Sequence, residues 1–302
     1  MSVLRTLRSP TALASLGAAA LSAVVTLVLA TPGSAGAQRP ARSRPASAHT
    51  ASAHAASPHT ASAHAAPRAV PAPPKHPTRA NQIQNIDQVK AAIKAYYGDT
   101  VAGRNPDGTA RHVPAANGAY AKQMAALVRR AERYLNAARQ RHTHRRAIVL
   151  DVDDTSLNTY NFEIDTNFVR RPAKSAQFVR ARAFPAVFHM PRLAKYARAR
   201  GYTLFFLTGR AAKLRAATAG NLTKVGFPAA PKGRLFLKDQ TRPWLSSCAP
   251  TCTTIEYKSL TRKHIESLGY TIVANFGDQR SDLVGGYAEK RFKIPNPMYY
   301  LP

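Results

Sequence analysis

The chain has 302 residues, enough for one sizeable globular domain or two small ones with a tail. Hydrophobic residues make up 45% and charged residues 20% of it, which excludes a chain disordered throughout. Its 44 Lys and Arg against 15 Asp and Glu give a formal net charge of +29, a field that draws anionic partners without identifying a fold or a reaction.

Arg5 and Arg8 precede an uncharged Ala/Leu/Val-rich run over 11–30, followed by Pro32, Gly33 and Ala35-Gly36-Ala37. This layout predicts a secretory signal peptide over 1–37, cut after Ala37. An uncleaved anchor is the alternative, since the run approaches bilayer-spanning length. No later run could span a membrane, so the mature chain is expected to be secreted without a transmembrane segment. No twin Arg precedes the run, and the only cysteines, Cys248 and Cys252, leave no amino-terminal thiol to carry a lipid.

Residues 38–80 are built from Ala, Ser, Thr, Pro, His and Arg, and the eight residues at 49–56 recur at 59–66. Without large apolar side chains to bury, this stretch is expected to be a disordered linker. Loose metal binding by His49, His54, His59, His64 and His76, or glycosylation, is a weaker reading than a plain spacer. No acidic residue precedes Asp87, and the eight cations before residue 81 leave 36 against all 15 anions, so 81–302 itself carries +21.

From Asn81 the pattern changes. Ile83, Ile86, Val89 and Ile93 recur at helical spacing up to a break at Gly98, and Met124, Leu127, Val128, Ala131 and Leu135 mark the face of a second helix. Short apolar runs at 147–152, 203–207, 235–237 and 271–276 then alternate with polar or helical stretches. That alternation predicts an α/β fold, a Rossmann-like central parallel sheet with helices on both faces, preceded by the two helices. In such sheets the chemistry sits beyond the carboxyl ends of the strands.

The unusual polar residues fall at those ends. The first strand runs into Asp151-Val152-Asp153-Asp154-Thr155, three carboxylates that repel one another unless a cation or a shared proton offsets them. The second ends in Thr208-Gly209-Arg210 before a helix expected near Ala211, whose free N–H groups would suit an anion. Tyr257-Lys258-Ser259 opens a helical stretch through Arg262 and Ile265, and the last strand delivers Gly277-Asp278-Gln279-Arg280-Ser281-Asp282. Two acidic strand ends, a Thr strand end and a Lys suit Mg²⁺-assisted phosphoryl transfer through an aspartyl-phosphate, because Mg²⁺ takes oxygen ligands and cations on the phosphate oxygens make a carboxylate a competent nucleophile.

Over 81–302 these residues resemble the haloacid dehalogenase (HAD) superfamily, and within it the secreted acid phosphatases that group with plant vegetative storage proteins. All four superfamily motifs occur in order: DxDxT at Asp151 to Thr155, Thr208 in FFLTGR, Lys258, and GDxxxD from Gly277 to Asp282. The resemblance implies a HAD core with a small cap at about 156–200. It implies Asp151 as nucleophile and metal ligand, and Asp153 as general acid and base that also lends its main-chain carbonyl to the metal. Thr208, Gly209 and Lys258 would hold the phosphoryl group, Asp278 would bind Mg²⁺ directly, and Asp282 would do so through water or by orienting its neighbours. Lys238 is the rival third-motif lysine, but Lys258 fits the family pattern better.

In the 156–200 stretch, Asn158 and Tyr160 are the first candidate substrate contacts and Asn161 a weaker one, while Phe162, Phe168 and Phe184 read more simply as packing. Cys248 and Cys252, in an exported protein, predict a local disulfide, with free thiols or half a zinc site as alternatives.

The implied activity is hydrolysis of small phosphomonoesters by a secreted, Mg²⁺-dependent acid phosphatase. A mildly acidic optimum is expected, since the second phosphate pKa lies near 6. Two alternatives remain open: a phosphotransferase of the same fold, and a non-enzymatic storage or anion-binding protein. Non-specific polyanion contact through the basic surface is expected in any of these cases, without specific nucleic-acid recognition.

Overall fold

The structure is a computed structural model that describes residues 85–105, 107–142 and 145–301. The expected leader and linker, and Ile83, lie outside these residues.

Helix α1 (Ile86–Tyr97) starts where the Asn85 side chain accepts the Gln88 N–H and ends at Gly98, whose φ of +65° suits glycine. Ile93 and Tyr97 are buried, but Ile86 and Val89, expected on the inner face, are 69% and 40% exposed. The helix docks through its carboxyl end, where the Tyr97 ring lies 4.4 Å from both Tyr120 and Tyr160. A hairpin follows, β1 (Thr100–Arg104) with β2 (Ala110–Val113), which the sequence hides because TVAGR and ARHV keep most of their side chains outside the core. Helix α2 (Ala119–Arg141) buries Met124, Leu127, Val128, Ala131 and Leu135, as its spacing predicts.

All four predicted strands form: β3 (Arg146–Leu150), β4 (Thr203–Ala211), β5 (Leu235–Lys238) and β6 (Thr271–Gly277). A fifth, β7 (Lys290–Lys293), completes a wholly parallel sheet in the order β5-β4-β3-β6-β7. Its sequence, KRFK, shows only one apolar residue, Phe292, which is buried and stacks on Phe276 at a ring distance of 4.7 Å. An edge strand needs no more, and its cations discourage pairing with another chain.

Alternation along β3 splits the core, because successive side chains point to opposite faces. Ile148 and Leu150 join α1, α2 and the helices of the 156–200 stretch in one apolar cluster, while Ala147 and Val149 join Phe205, Leu207, Leu245, Tyr257 and Ile265 in another. That stretch holds α3 (Tyr160–Asp165), α4 (Pro172–Arg180) and α5 (Met190–Ala199). Of these, α3 lies against β2, α4 against α6 (Arg215–Lys224), and α5 against α2 and β4.

The helix expected near Ala211 begins at Arg215 instead. Strand β4 runs on to Ala211 and a short 3-10 turn intervenes, so no α-helical N-terminus abuts Thr208. Helix α7 (Thr254–Ser267) starts earlier than expected because Thr253 and Glu256 form a reciprocal capping box, which puts Lys258 one turn inside it. The short α8 (Arg280–Leu283) follows β6. Cys248 and Cys252 are joined, with an S–S distance of 2.09 Å.

Candidate active site

Parallel register aligns Leu150 with Phe206 on one side and Phe276 on the other. Asp151 and Asp278 therefore leave the sheet along one carboxyl edge, with Thr208 in the last part of β4, and the Asp151 N–H still donates to the Phe276 carbonyl at 3.0 Å. From α7, Lys258 Nζ donates to Asp151 Oδ1 at 2.6 Å and also to Asp282 Oδ1. All four side chains, Asp151, Lys258, Asp278 and Asp282, are buried.

One carboxylate oxygen from each of Asp151, Asp278 and Asp282 lies within 4.8 Å of the others. Gly277 permits this crowding: a Cβ there would sit 2.2 Å from the Asp282 Cβ. Burial pushes Asp151 well above the ordinary carboxylate range, Lys258 opposes that rise, and Asp282 and Asp278 add to it. Burial, then the charge of Asp282, pushes Asp278 up to about 6. Burial disfavours the Lys258 ammonium, but Asp151 and Asp282 outweigh it and hold the lysine charged. Three carboxylates against one ammonium leave two negative charges, which one divalent cation on oxygen ligands would balance. The donor set fits such an ion.

Two further carboxylates have other work. Asp153 is gripped by Arg210, with Nε at 3.0 Å from Oδ2 and Nη2 at 2.6 Å from Oδ1, while Arg210 Nη1 donates to Thr218 Oγ1 at 3.1 Å. The guanidinium carbon also lies 5.5 Å from the centre of the Phe184 ring. Asp154 sits at φ +53°, a conformation that Asp tolerates at modest cost. Its carboxylate accepts from the Thr159 N–H at 2.9 Å and from Tyr299 Oη at 2.7 Å. Asp154 thus organises the loop that carries Asp151 and Asp153.

Thr208 is buried and its hydroxyl accepts the Arg210 N–H at 3.2 Å, so its own proton remains to be donated. Gly209 is exposed and nothing lies within 4 Å of where its Cβ would be. Lys238 pairs in the sheet with Ala211, and of the two lysines it is Lys258 that forms ion pairs with Asp151 and Asp282. Asn158 is buried, and its Oδ1 accepts the Tyr160 N–H at 2.9 Å. Tyr160 stacks on Tyr97, and Phe162, Phe178 and Phe184 pack in a row with ring distances of 5.6 and 5.8 Å. Sequence reasoning assigned no role to Arg210, although it stands in the second motif. It passed over Glu163 too, a buried carboxyl on α3 with no motif to mark it.

This arrangement accompanies a family match over residues 77–302, three quarters of the chain, to the HAD superfamily, subfamily IIIB (acid phosphatase). The chain belongs to that family. The stem 28 kDa glycoprotein of Glycine max is 39% identical over 103 residues, 33% of this chain and 37% of that one. Acid phosphatase 1 of Solanum lycopersicum is 34% identical over 157 residues, 51% of this chain and 58% of its own. The chain therefore spans less than two thirds of the length of either plant relative. Among solved structures, the class C acid phosphatase from Bacillus anthracis is 25% identical with a TM-score of 0.48, covering 59% of this chain and 80% of that one. As in the family to which it belongs, the residues of the four motifs named above lie on the carboxyl edge of the sheet or beside it. Among the described residues no helix is long and apolar enough to cross a membrane.

Proposed function

We propose that this HAD acid phosphatase hydrolyses small phosphomonoesters through a phosphorylated Asp151. The observation that carries the reading is Lys258, one ammonium bridging Asp151 and Asp282 inside a cluster of three buried carboxylates at the sheet edge. Asp151, Asp278 and Asp282, with the main-chain carbonyl of Asp153, would hold Mg²⁺, which supplies charge neutralisation to the phosphoryl oxygens when bound. The Thr208 hydroxyl, the Gly209 N–H and Lys258 donate to the same oxygens.

The Asp151 carboxylate attacks phosphorus. A bond forms between its oxygen and phosphorus, the ester P–O bond breaks, and Asp153 gives the departing oxygen a proton. Asp153 then takes a proton from water, the water oxygen bonds to phosphorus, and the Asp151–phosphorus bond breaks to release phosphate. Arg210 holds Asp153 in place between these transfers. Asn158 is proposed to act at one remove, by setting the start of α3 through its bond to Tyr160.

The test is hydrolysis of p-nitrophenyl phosphate by the full chain, with Mg²⁺ or with EDTA, beside Asp151→Asn. Metal-dependent turnover that falls at least about a thousandfold in the variant is expected. A folded wild type that is inert with Mg²⁺ from pH 4 to 8 rejects the reading. We further propose export through a leader at 1–37 and a linker at 38–80 ahead of the catalytic domain at 81–302. A secreted product beginning at Gln38 is the expected mass-spectrometric result, and an intact Met1 start in the exported protein would overturn it.

A further inference from the structure

Beyond β7 the chain turns back over both acidic loops. Ile294 N–H donates to the Gly277 carbonyl at 2.8 Å, and the buried Met298 anchors the segment in the main apolar cluster. Between these points Asn296 Nδ2 donates to Asp278 Oδ2 at 2.8 Å, and Tyr299 Oη donates to Asp154 Oδ2 at 2.7 Å.

The two carboxamides that face Asp278 are both oriented by main-chain N–H groups of this segment. Met298 N–H donates to Asn296 Oδ1 at 2.9 Å, and Leu301 N–H donates to Gln279 Oε1 at the same distance. An amide whose oxygen is occupied by a donor must turn its NH₂ the other way. Asn296 and Gln279 accordingly both donate to Asp278 Oδ2, the latter at 2.6 Å, while Thr155 Oγ1 takes Oδ1 at 3.2 Å. Three donors thus fix the plane of one member of the carboxylate cluster, two of them set by the segment after β7. Tyr299 ties the same segment to the loop that carries Asp151.

We propose that residues 294–301 are a strap whose Asn296 and Tyr299 are positioning residues for the metal site, holding Asp278 and the Asp151 loop at one fixed spacing. This rests on the reading of Asp151, Asp278 and Asp282 as the ligands of a divalent cation. Groups that orient metal ligands in this way are typically worth about 10- to 100-fold in affinity or activity.

The test compares the full-length wild type with Asn296→Ala, Tyr299→Phe and, as control, Tyr300→Ala, whose side chain is exposed. Mg²⁺ affinity is measured by calorimetry, and the Mg²⁺ concentration for half-maximal p-nitrophenyl phosphate hydrolysis is measured alongside it. Asn296→Ala and Tyr299→Phe are each expected to weaken Mg²⁺ affinity and to raise the half-maximal Mg²⁺ concentration by about tenfold or more, with kcat recovered at saturating Mg²⁺ and Tyr300→Ala unchanged. Recovery by excess metal separates misplaced ligands from general damage to the fold. Tyr299→Phe removes a single hydroxyl, so it serves even if Asn296→Ala does not fold. Affinities within twofold of wild type in both variants, with the wild type binding metal normally, overturn the strap alone. A wild type that binds no Mg²⁺ overturns the metal reading and the strap with it.

Discussion

Asp153 shows how one residue's role is set by a neighbour far away in sequence. Arg210 grips both its oxygens, 57 positions along the chain, and a lysine could keep the charge but not the planar two-point hold. Arg210→Lys is therefore expected to lower kcat for p-nitrophenyl phosphate by about tenfold or more with KM little changed; an unaltered kcat would show that Asp153 needs no such orientation. Glu163 is a second residue-scale case. It is buried on α3, and burial, with the charge of Asp153 adding to it, pushes its carboxyl from the ordinary 4.5 up to about 7. The folded chain binds this proton more tightly than the unfolded chain does, so the stability it contributes is complete below pH 4.5 and is lost as pH rises through 7. Measured against Glu163→Gln in EDTA, wild-type unfolding free energy is expected to fall by up to ~3 kcal/mol between pH 4.5 and 7.5, at about 1.4 kcal/mol per pKa unit. Urea titrations of the two proteins at those pH values check this, and a constant difference rejects it.

Elements were legible to the degree that burial leaves a periodic mark. The four predicted strands are covered on both faces, so their apolar runs are nearly continuous, and α2 shows its inner face at regular spacing. The β1–β2 hairpin and β7 escaped notice because each puts few side chains into the core and most into solvent. In β7 the whole inward contribution is Phe292, packed on Phe276 and Tyr134. Phe292→Ala is expected to cost about 3–5 kcal/mol in urea unfolding, as large-to-small changes at buried aromatic sites do. A loss under about 1 kcal/mol would mean that the edge strand and the strap after it are held some other way. Capping explains the shifted helix starts: the Thr253–Glu256 box opens α7 a turn before Lys258, and the continuation of β4 delays α6 to Arg215.

At the scale of the whole molecule, residues 81–302 carry a net charge of +21, and the site proposed within them would take an anion. Fields from exposed cations fade as the Debye length falls from ~10 Å at 0.1 M salt to ~3 Å at 1 M. Raising NaCl over that range is expected to increase KM for a dianionic substrate while kcat stays nearly constant. Retention on an immobilised polyphosphate should weaken with salt equally in wild type and Asp151→Asn, since the field survives loss of the proposed nucleophile; retention lost in the variant alone would place the contact at Asp151. The sequence by itself determined the fold class and marked the residues on which the proposed chemistry rests. Alternating apolar runs specify buried parallel strands, and Asp151 and Asp278 each follow directly on the strand that positions them, whereas Asp282 stands on α8. Only the tertiary structure decided which partners those groups meet. Lys258 reaches Asp151 across 107 positions and Tyr299 reaches Asp154 across 145, and residues so distant come together through packing, which leaves no local periodicity to read.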